Sequence, residues 1–128
     1  MAMQPSNIHH NLYKGPKTLD DPADGGTIRA VEDLSICELV SVGADETRVL
    51  ANPTKPGIRL TIRMLTDGGD IVMYAANGIN VDLETYVTFA DATDFMPLIS
   101  VTKTAGSPQS AGVYRWQVHE GNLGVTLV

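Results

Sequence analysis

Apolar and polar residues alternate along most of the chain from residue 34 onwards. The clearest run covers residues 58–64, in which Ile, Leu, Ile and Met occupy the even positions and Arg, Thr and Arg the odd ones. Successive side chains of a β-strand point to opposite faces, so this period predicts a strand with one apolar and one polar face. Comparable runs predict strands over Leu34–Val42, Thr47–Ala51, Ile71–Ala76, Tyr86–Ala90, Phe95–Thr102, Val113–His119 and Leu123–Val128.

Clusters of turn residues separate these runs. Asp-Gly-Gly-Asp at residues 67–70 predicts a hairpin, and Asn77-Gly78 predicts the next tight turn. Asp-Gly-Gly-x-Ile occurs at both 24–28 and 67–71, which we interpret as one turn used twice rather than as a repeat. Pro97 lies within a predicted strand and indicates an edge strand or a bulge, because proline has no N–H to donate. About eight short strands at this spacing, without an amphipathic helix, predict an all-β fold: one β-sandwich or small barrel, jelly-roll-like.

Residues 1–33 lack either period and contain three prolines, three glycines and five acidic residues. We predict an extended N-terminal arm over residues 1–33 and a β domain over residues 34–128. Single apolar residues along the arm are the predicted anchors to a partner surface: Ile8, Leu12, Tyr13, Leu19 and Ile28. The same composition also fits a disordered tail in the isolated protein.

Charge and cysteine content narrow the classes of partner. The chain has 128 residues and a net charge of −6, and its nine basic residues are scattered, which disfavours nucleic acid. No apolar stretch is long enough to span a membrane and no secretory signal is present, so we expect no membrane partner. Cys37 is the single cysteine; its apolar neighbours predict a buried thiol, and no intrachain disulfide can form.

The sequence contains no catalytic constellation, so we expect no enzyme, no catalytic or metal-binding residue and no cofactor. The pair His9-His10 fits a solvated pair better than a metal site, and Cys37 and His119 lie in no orienting motif. Paired aspartates at residues 67 and 70, and at 91 and 94, lie in turns, where aspartate caps backbone N–H groups more often than it hydrolyses glycosides. On its strand, Trp116 predicts core or subunit interface rather than a sugar-stacking platform.

Five segments of the stretch from residue 46 to 128 carry a resemblance to a known family: Gly57–Arg63, Asp67–Ile71, Val87–Phe95, Tyr114–Val118 and Gly124–Leu127. Through them this stretch resembles small structural proteins of tailed bacteriophages, namely capsid decoration (cement) proteins. The resemblance implies a β-sandwich or barrel that trimerises on the capsid surface, with an N-terminal arm that grips capsid subunits. It carries over no catalytic residue.

We therefore expect a capsid decoration protein that binds the outer surface of a phage head and stabilises it. Its expected partners are the major capsid protein and further copies of itself, as a homotrimer, without nucleic acid or membrane. The expected location is the capsid surface of the virion, after synthesis in the host cytoplasm. A carbohydrate- or receptor-binding module of a phage tail or fibre is the alternative, which an exposed aromatic cluster beside polar loops would favour. An enzyme is the third possibility.

Overall fold

The computed structural model describes residues 16–103, 113–119, 121–122 and 124–128. These residues form ten β-strands and no helix, which confirms the predicted all-β class. The strands are β1 (Lys17–Leu19), β2 (Gly26–Ile28), β3 (Ser35–Val40), β4 (Glu46–Leu50), β5 (Arg59–Thr66), β6 (Ile71–Ile79), β7 (Glu84–Phe89), β8 (Phe95–Thr102), β9 (Tyr114–Val118) and β10 (Thr126–Leu127). Across these residues no helix is long and apolar enough to cross a membrane.

The first six strands alternate between two layers. Strands β1, β3 and β5 run parallel to one another, and β2, β4 and β6 form a second parallel set. Each of the strands β1 to β4 therefore pairs with the strand two positions further along the chain, not with the strand that follows it directly. The chain winds through about three coils of a short solenoid, whose apolar faces meet between the layers.

Strands β8 and β9 join the two layers on one side. β8 is antiparallel to both β5 and β9, and β9 meets β6 where Trp116 pairs with Ile79. The strand order is β1-β3-β5-β8-β9-β6-β4-β2, and the sheet wraps around one core as a nearly closed barrel. Strands β1 and β2 are its two edge strands. Strand β7 pairs with β6 and β10, which widens the second layer.

One core fills the space between the layers, and the alternation along the strands defines it. All four apolar residues of the run 58–64 are at most 2 % exposed, and Cys37 is buried as predicted. Trp116 is 1 % exposed and its indole Nε1 donates a hydrogen bond to the Ala51 carbonyl at 3.0 Å, which confirms its predicted core position. Burial of each Leu or Ile side chain contributes about 1.5–3 kcal/mol to the free energy of folding, so this core provides most of the hydrophobic stabilisation.

The described part of the predicted arm belongs to the domain instead. Lys17–Leu19 pairs with β3, and Gly26–Ile28 pairs with β4. Ile28 and Ala30 are 2 % and 3 % exposed and belong to the core. The expected boundary at residue 34 is therefore wrong for residues 16–33, because strands of three residues are too short to show a period in the sequence. Any arm is confined to residues 1–15, which lie outside the described residues.

Two predicted turns are also corrected. Residues 67–70 form no hairpin, because β5 pairs with β3 and β8 while β6 pairs with β4, β7 and β9. They cross from one layer to the other as an arch. Asn77-Gly78 lies inside β6, where the ladder to β7 is irregular and Gly78 has φ of +82°. The chain turns three residues later, with a hydrogen bond of 3.2 Å from Leu83 N–H to the Asn80 carbonyl.

Pro97 lies neither on an edge strand nor at a bulge, so this prediction is wrong as well. Its strand β8 is central, with Pro97 opposite Thr61 of β5. The Pro97 carbonyl accepts a hydrogen bond of 2.8 Å from His119 N–H, one residue beyond the end of β9. The proline nitrogen points to the same side, one residue beyond the last pair of the β8–β9 ladder, so the ladder does not require an N–H at this position.

Candidate interaction surfaces

Four connections meet at one end of the barrel, namely those that join β1 to β2, β3 to β4, β5 to β6 and β7 to β8. They are residues 20–25, 41–45, 67–70 and 90–94, and together they form what we call the acidic end. They contain eight aspartates and no lysine or arginine: Asp20, Asp21, Asp24, Asp45, Asp67, Asp70, Asp91 and Asp94. The fold thus gathers more than half of the fifteen acidic residues of the chain in one place.

Several of these aspartates build the connections themselves. The Asp45 carboxylate accepts a hydrogen bond of 3.0 Å from Asp70 N–H, which ties two arches together. The buried Asp94 accepts from Ala90 N–H and Asp91 N–H at 2.9 and 3.0 Å, which closes its own turn. Asp94 therefore serves as a turn residue, as the sequence analysis interpreted it.

A buried ion cluster underlies the acidic end. The Arg48 side chain has no exposed surface and binds Asp21 through Nε at 2.7 Å and Glu46 through Nη2 at 2.9 Å. Asp21 also accepts a hydrogen bond of 2.9 Å from Val40 N–H. Burial raises the pKa of the Asp21 carboxyl, but the hydrogen bonds from Arg48 and Val40 outweigh it and hold this pKa below its ordinary value. The cluster locks the β1–β2 connection onto the second layer.

A cavity of about 560 Å³ opens beside the acidic end, on the outer side of β5. Its lining is mostly apolar and includes one cation: Thr61, Arg63, Met64, Leu65, Ala92, Thr93 and Phe95. Thr93 has φ of +88°, which is strained for a β-branched residue, and its N–H is held by the Met64 carbonyl at 3.0 Å. Arg63 binds Glu38 through Nε and Nη2, which leaves Nη1 available for another acceptor.

The opposite end of the barrel, which we call the leucine end, presents exposed apolar side chains. It comprises residues 29–34, 51–58 and 80–83. Val31, Leu34, Val81 and Leu83 are 48 %, 39 %, 73 % and 41 % exposed. Both leucines have left-handed backbones, with φ of +59° and +57°, a conformation that costs a bulky residue about 1–2 kcal/mol.

A third surface is the outward side of β4, β6 and β7, which we call the tyrosine face. Its residues carry no charge: Thr47, Val49, Val72, Tyr74, Tyr86 and Thr88. Tyr74 lies between Val49 and Tyr86 in the strand register, and the two tyrosine rings are 5.3 Å apart at 48°. Both rings are exposed, by 39 % and 49 %. The period predicts this outward direction, because Val87 and Phe89 point inward and Tyr86 therefore points outward.

The predicted anchor residues do not come together as a partner site. Ile28 is buried in the core, and Leu19 packs against the core from β1, so both hold the domain together. Ile8, Leu12 and Tyr13 lie outside the described residues. The tyrosine face, the cavity beside Arg63 and the leucine end are the surfaces that the sequence analysis missed. The last two depend on which connections meet in space.

No group of three or more His, Cys, Asp and Glu side chains within the described ranges is arranged to hold a metal ion. The Cys37 thiol is buried, and burial raises its pKa to about 11, which makes it a poor nucleophile. Neither a protein-family model nor a curated protein matches this chain.

Proposed function

We propose that this protein is a capsid decoration protein of a tailed bacteriophage, bound to the outer surface of the head. It stabilises the shell through contacts with the major capsid protein and with other copies of itself, as a homotrimer. Residues 1–15 are the remaining candidate for an arm. The resemblance of residues 46–128 to such proteins supports the phage context, and the distribution of exposed apolar side chains supports the assembly role.

That distribution is the observation that carries the proposal. Among the described residues, exposed apolar side chains lie on the tyrosine face, on the leucine end, and at the acidic end with its adjacent cavity, where Val42 and Leu65 are 83 % and 54 % exposed. A protein that binds one small ligand concentrates such residues in one pocket. A component of a lattice contacts several neighbours at once, and each contact needs its own apolar centre. A nearly closed sheet around a filled core gives such a component rigidity.

The direct test is binding to empty capsids that lack this protein. We expect saturable binding at a fixed copy number per capsid, and a higher temperature of capsid disruption. Tyr74→Ala is expected to weaken binding, because it removes a ring from an uncharged flat face, whereas Thr18→Ala on the exposed part of β1 serves as the matched control. Absence of saturable binding by the intact protein to capsids of its own phage would overturn the proposal.

The arm needs a separate truncation. Deleting residues 1–15 leaves every described strand in place, so we expect a folded domain with weakened capsid binding. Deleting residues 1–33 removes β1, β2 and Asp21, one of the two acids that bind Arg48, so we expect that longer truncation to unfold. Circular dichroism and a capsid-binding titration on both truncations separate the two effects. Full binding after the shorter deletion would show that residues 1–15 grip nothing.

The tyrosine pair favours a second candidate, a carbohydrate- or receptor-binding module of a tail or fibre. Exposed aromatic rings can stack on the apolar face of a sugar, and threonine hydroxyls beside them can bond its hydroxyl groups. Binding to host-surface glycans that is lost in Tyr86→Ala, with an unchanged melting temperature and no capsid binding by the intact protein, would establish this candidate instead.

A further inference from the structure

The cavity beside Arg63 has a wall that backbone hydrogen bonds hold in place. Its wall at Thr93 is fixed by reciprocal hydrogen bonds: Thr93 N–H donates to the Met64 carbonyl at 3.0 Å, and Met64 N–H donates to the Asp94 carbonyl at 2.8 Å. The lining is apolar except for Thr61, Thr93 and the Arg63 guanidinium, whose Nη1 has no bond to Glu38. Such a site fits an acidic group flanked by apolar side chains.

The turn at residues 80–83 has that composition. Val81 and Leu83 are 73 % and 41 % exposed, and Asp82 lies exposed between them. The turn is held firmly, since Asn80 N–H donates to the Trp116 carbonyl at 2.9 Å and Asn80 Oδ1 accepts from Val118 N–H at 2.8 Å. Asn80 and Leu83 both have left-handed backbones, with φ of +62° and +57°, a conformation that is strained for Leu83.

The charges of the two ends determine how two copies can approach. The acidic end carries eight acids and no cation. The leucine end with its flanking strand residues carries five cations, Lys17, Arg29, Lys55, Arg59 and Lys103, against four acids, Glu32, Asp33, Asp82 and Glu84. Two acidic ends repel each other, whereas an acidic end and a leucine end attract. Pairing of unlike ends is therefore the favoured approach.

We propose that the cavity beside Arg63 is the docking site for the Val81–Leu83 turn of a second copy of this chain. The two apolar side chains enter the cavity, and the Asp82 carboxylate accepts from Arg63 Nη1. The interface joins different surfaces of the two copies, so a pair of copies keeps one free turn on the first copy and one free cavity on the second. Such an interface closes into a ring where the rotation allows, and otherwise extends into a filament. The proposal deepens the proposed function, resting on its oligomeric contacts, but it needs no capsid.

Cross-linking of mixed variants tests this geometry on the full chain. Val81→Cys and Ala92→Cys are purified separately, and a short thiol-specific cross-linker is added to each alone and to the mixture. We expect cross-linked dimers in the mixture and not in either variant alone. Ala92→Cys mixed with Thr126→Cys, which lies on β10 away from the turn, is the control. The buried Cys37 thiol stays unreactive near neutral pH because burial raises its pKa to about 11.

Exchanging the two charges provides a second, independent test of the proposed contact. Arg63→Glu and Asp82→Arg are each expected to weaken self-association about tenfold or more, and the double variant to regain it. Melting temperatures of all three variants show whether each one is folded. Sedimentation velocity without capsids measures self-association alone. A failure of the proposed self-association is therefore distinguishable from a failure of capsid binding.

Three outcomes would overturn the proposal. They are a monomer at all concentrations, equal cross-linking within a single variant, and an oligomer that withstands both charge reversals. The second outcome would mean that like surfaces pair, and the third that another surface holds the oligomer.

Discussion

Replacing Asp21 by Asn tests whether the β1–β2 connection is part of the folded domain. The Asp21 carboxylate binds Arg48 Nε at 2.7 Å and Nη2 at 3.0 Å, and it accepts from Val40 N–H at 2.9 Å. Asn has one acceptor oxygen, so its amide group must face a guanidinium or a backbone N–H, donor against donor. Breaking a buried pair costs about 3–5 kcal/mol, and because Glu46 still neutralises Arg48 we expect a loss of about 2–4 kcal/mol in the free energy of unfolding.

Urea denaturation at neutral pH measures this loss, and Asp33→Asn is the matched control. Asp33 binds Arg59 through the same two-pronged geometry, but both side chains are about half exposed, at 48 % and 49 %. Water screens the control pair, so we expect a much smaller shift of its midpoint. An equal and small effect of both substitutions would refute the reasoning, because it would mean that residues 16–33 detach without cost to the core.

The contribution of the Asp21 carboxylate to stability should also depend on pH, in a direction set by the shift of its pKa. The pKa of the Asp21 carboxyl lies below its ordinary value of 3.8 in the folded protein. Its contribution to stability is therefore complete above the unfolded-state pKa and is lost as the pH falls through the lower folded-state pKa. The stability difference between the protein and Asp21→Asn should shrink below about pH 4. A difference that stays constant there would mean that the carboxylate is not the stabilising group.

Three further substitutions or reactions test the core and the arches. Trp116→Ala is expected to lower the free energy of unfolding by about 3–5 kcal/mol in urea titrations, and an unchanged midpoint would place the indole outside the core. Gly68→Ala should lower the melting temperature more than Gly43→Ala, because a Cβ at residue 68 would lie 2.4 Å from Gly43 N, whereas one at residue 43 meets nothing within 4 Å and adds only the strain of a left-handed backbone, with φ of +96°. The Cys37 thiol, with its pKa raised to about 11, should react with a thiol reagent only after denaturant is added.

The strands and the core were predictable because their signal is local. Alternation assigns each residue a side of its strand without reference to any other part of the chain. It correctly placed the apolar residues of 58–64 in the core, as well as Cys37 and Trp116. It equally implies that Tyr74 and Tyr86 point outward, since each lies at an odd step from a buried neighbour.

The pairing of the strands was not predictable from the same pattern. The glycine and aspartate residues of a segment such as 67–70 are typical of two kinds of connection. A hairpin joins neighbouring strands of one sheet, whereas an arch joins two layers. The two differ in rotation of the strands about their axes, and the sequence period is identical in both. Gly68 shows the difference only in three dimensions, where its backbone packs against Gly43 and Ser41 of the preceding arch.

Sites built from several connections inherit this difficulty. The cavity beside Arg63 needs the 90–94 turn to lie against β5, and that follows from the antiparallel pairing of β5 with β8. The local sequence of neither segment predicts that the two lie in contact. The buried ion cluster could not be predicted for a related reason, because the strands β2 and β3 and their connections lie between Asp21 and Arg48 in the sequence.

The polarity of the molecule is a consequence of its coiling. Each coil crosses from the first layer to the second at the same end, and those crossings need short arches, in which aspartate and glycine are favoured because they satisfy or relieve the backbone. Repetition of the arch therefore accumulates acids at one end, as the two Asp-Gly-Gly segments at 24–26 and 67–69 illustrate. The return connections at the other end are not all so short, and they carry the exposed leucines and valines. A solenoid thereby acquires two unlike ends without any separate binding domain, and unlike ends are what a head-to-tail assembly requires.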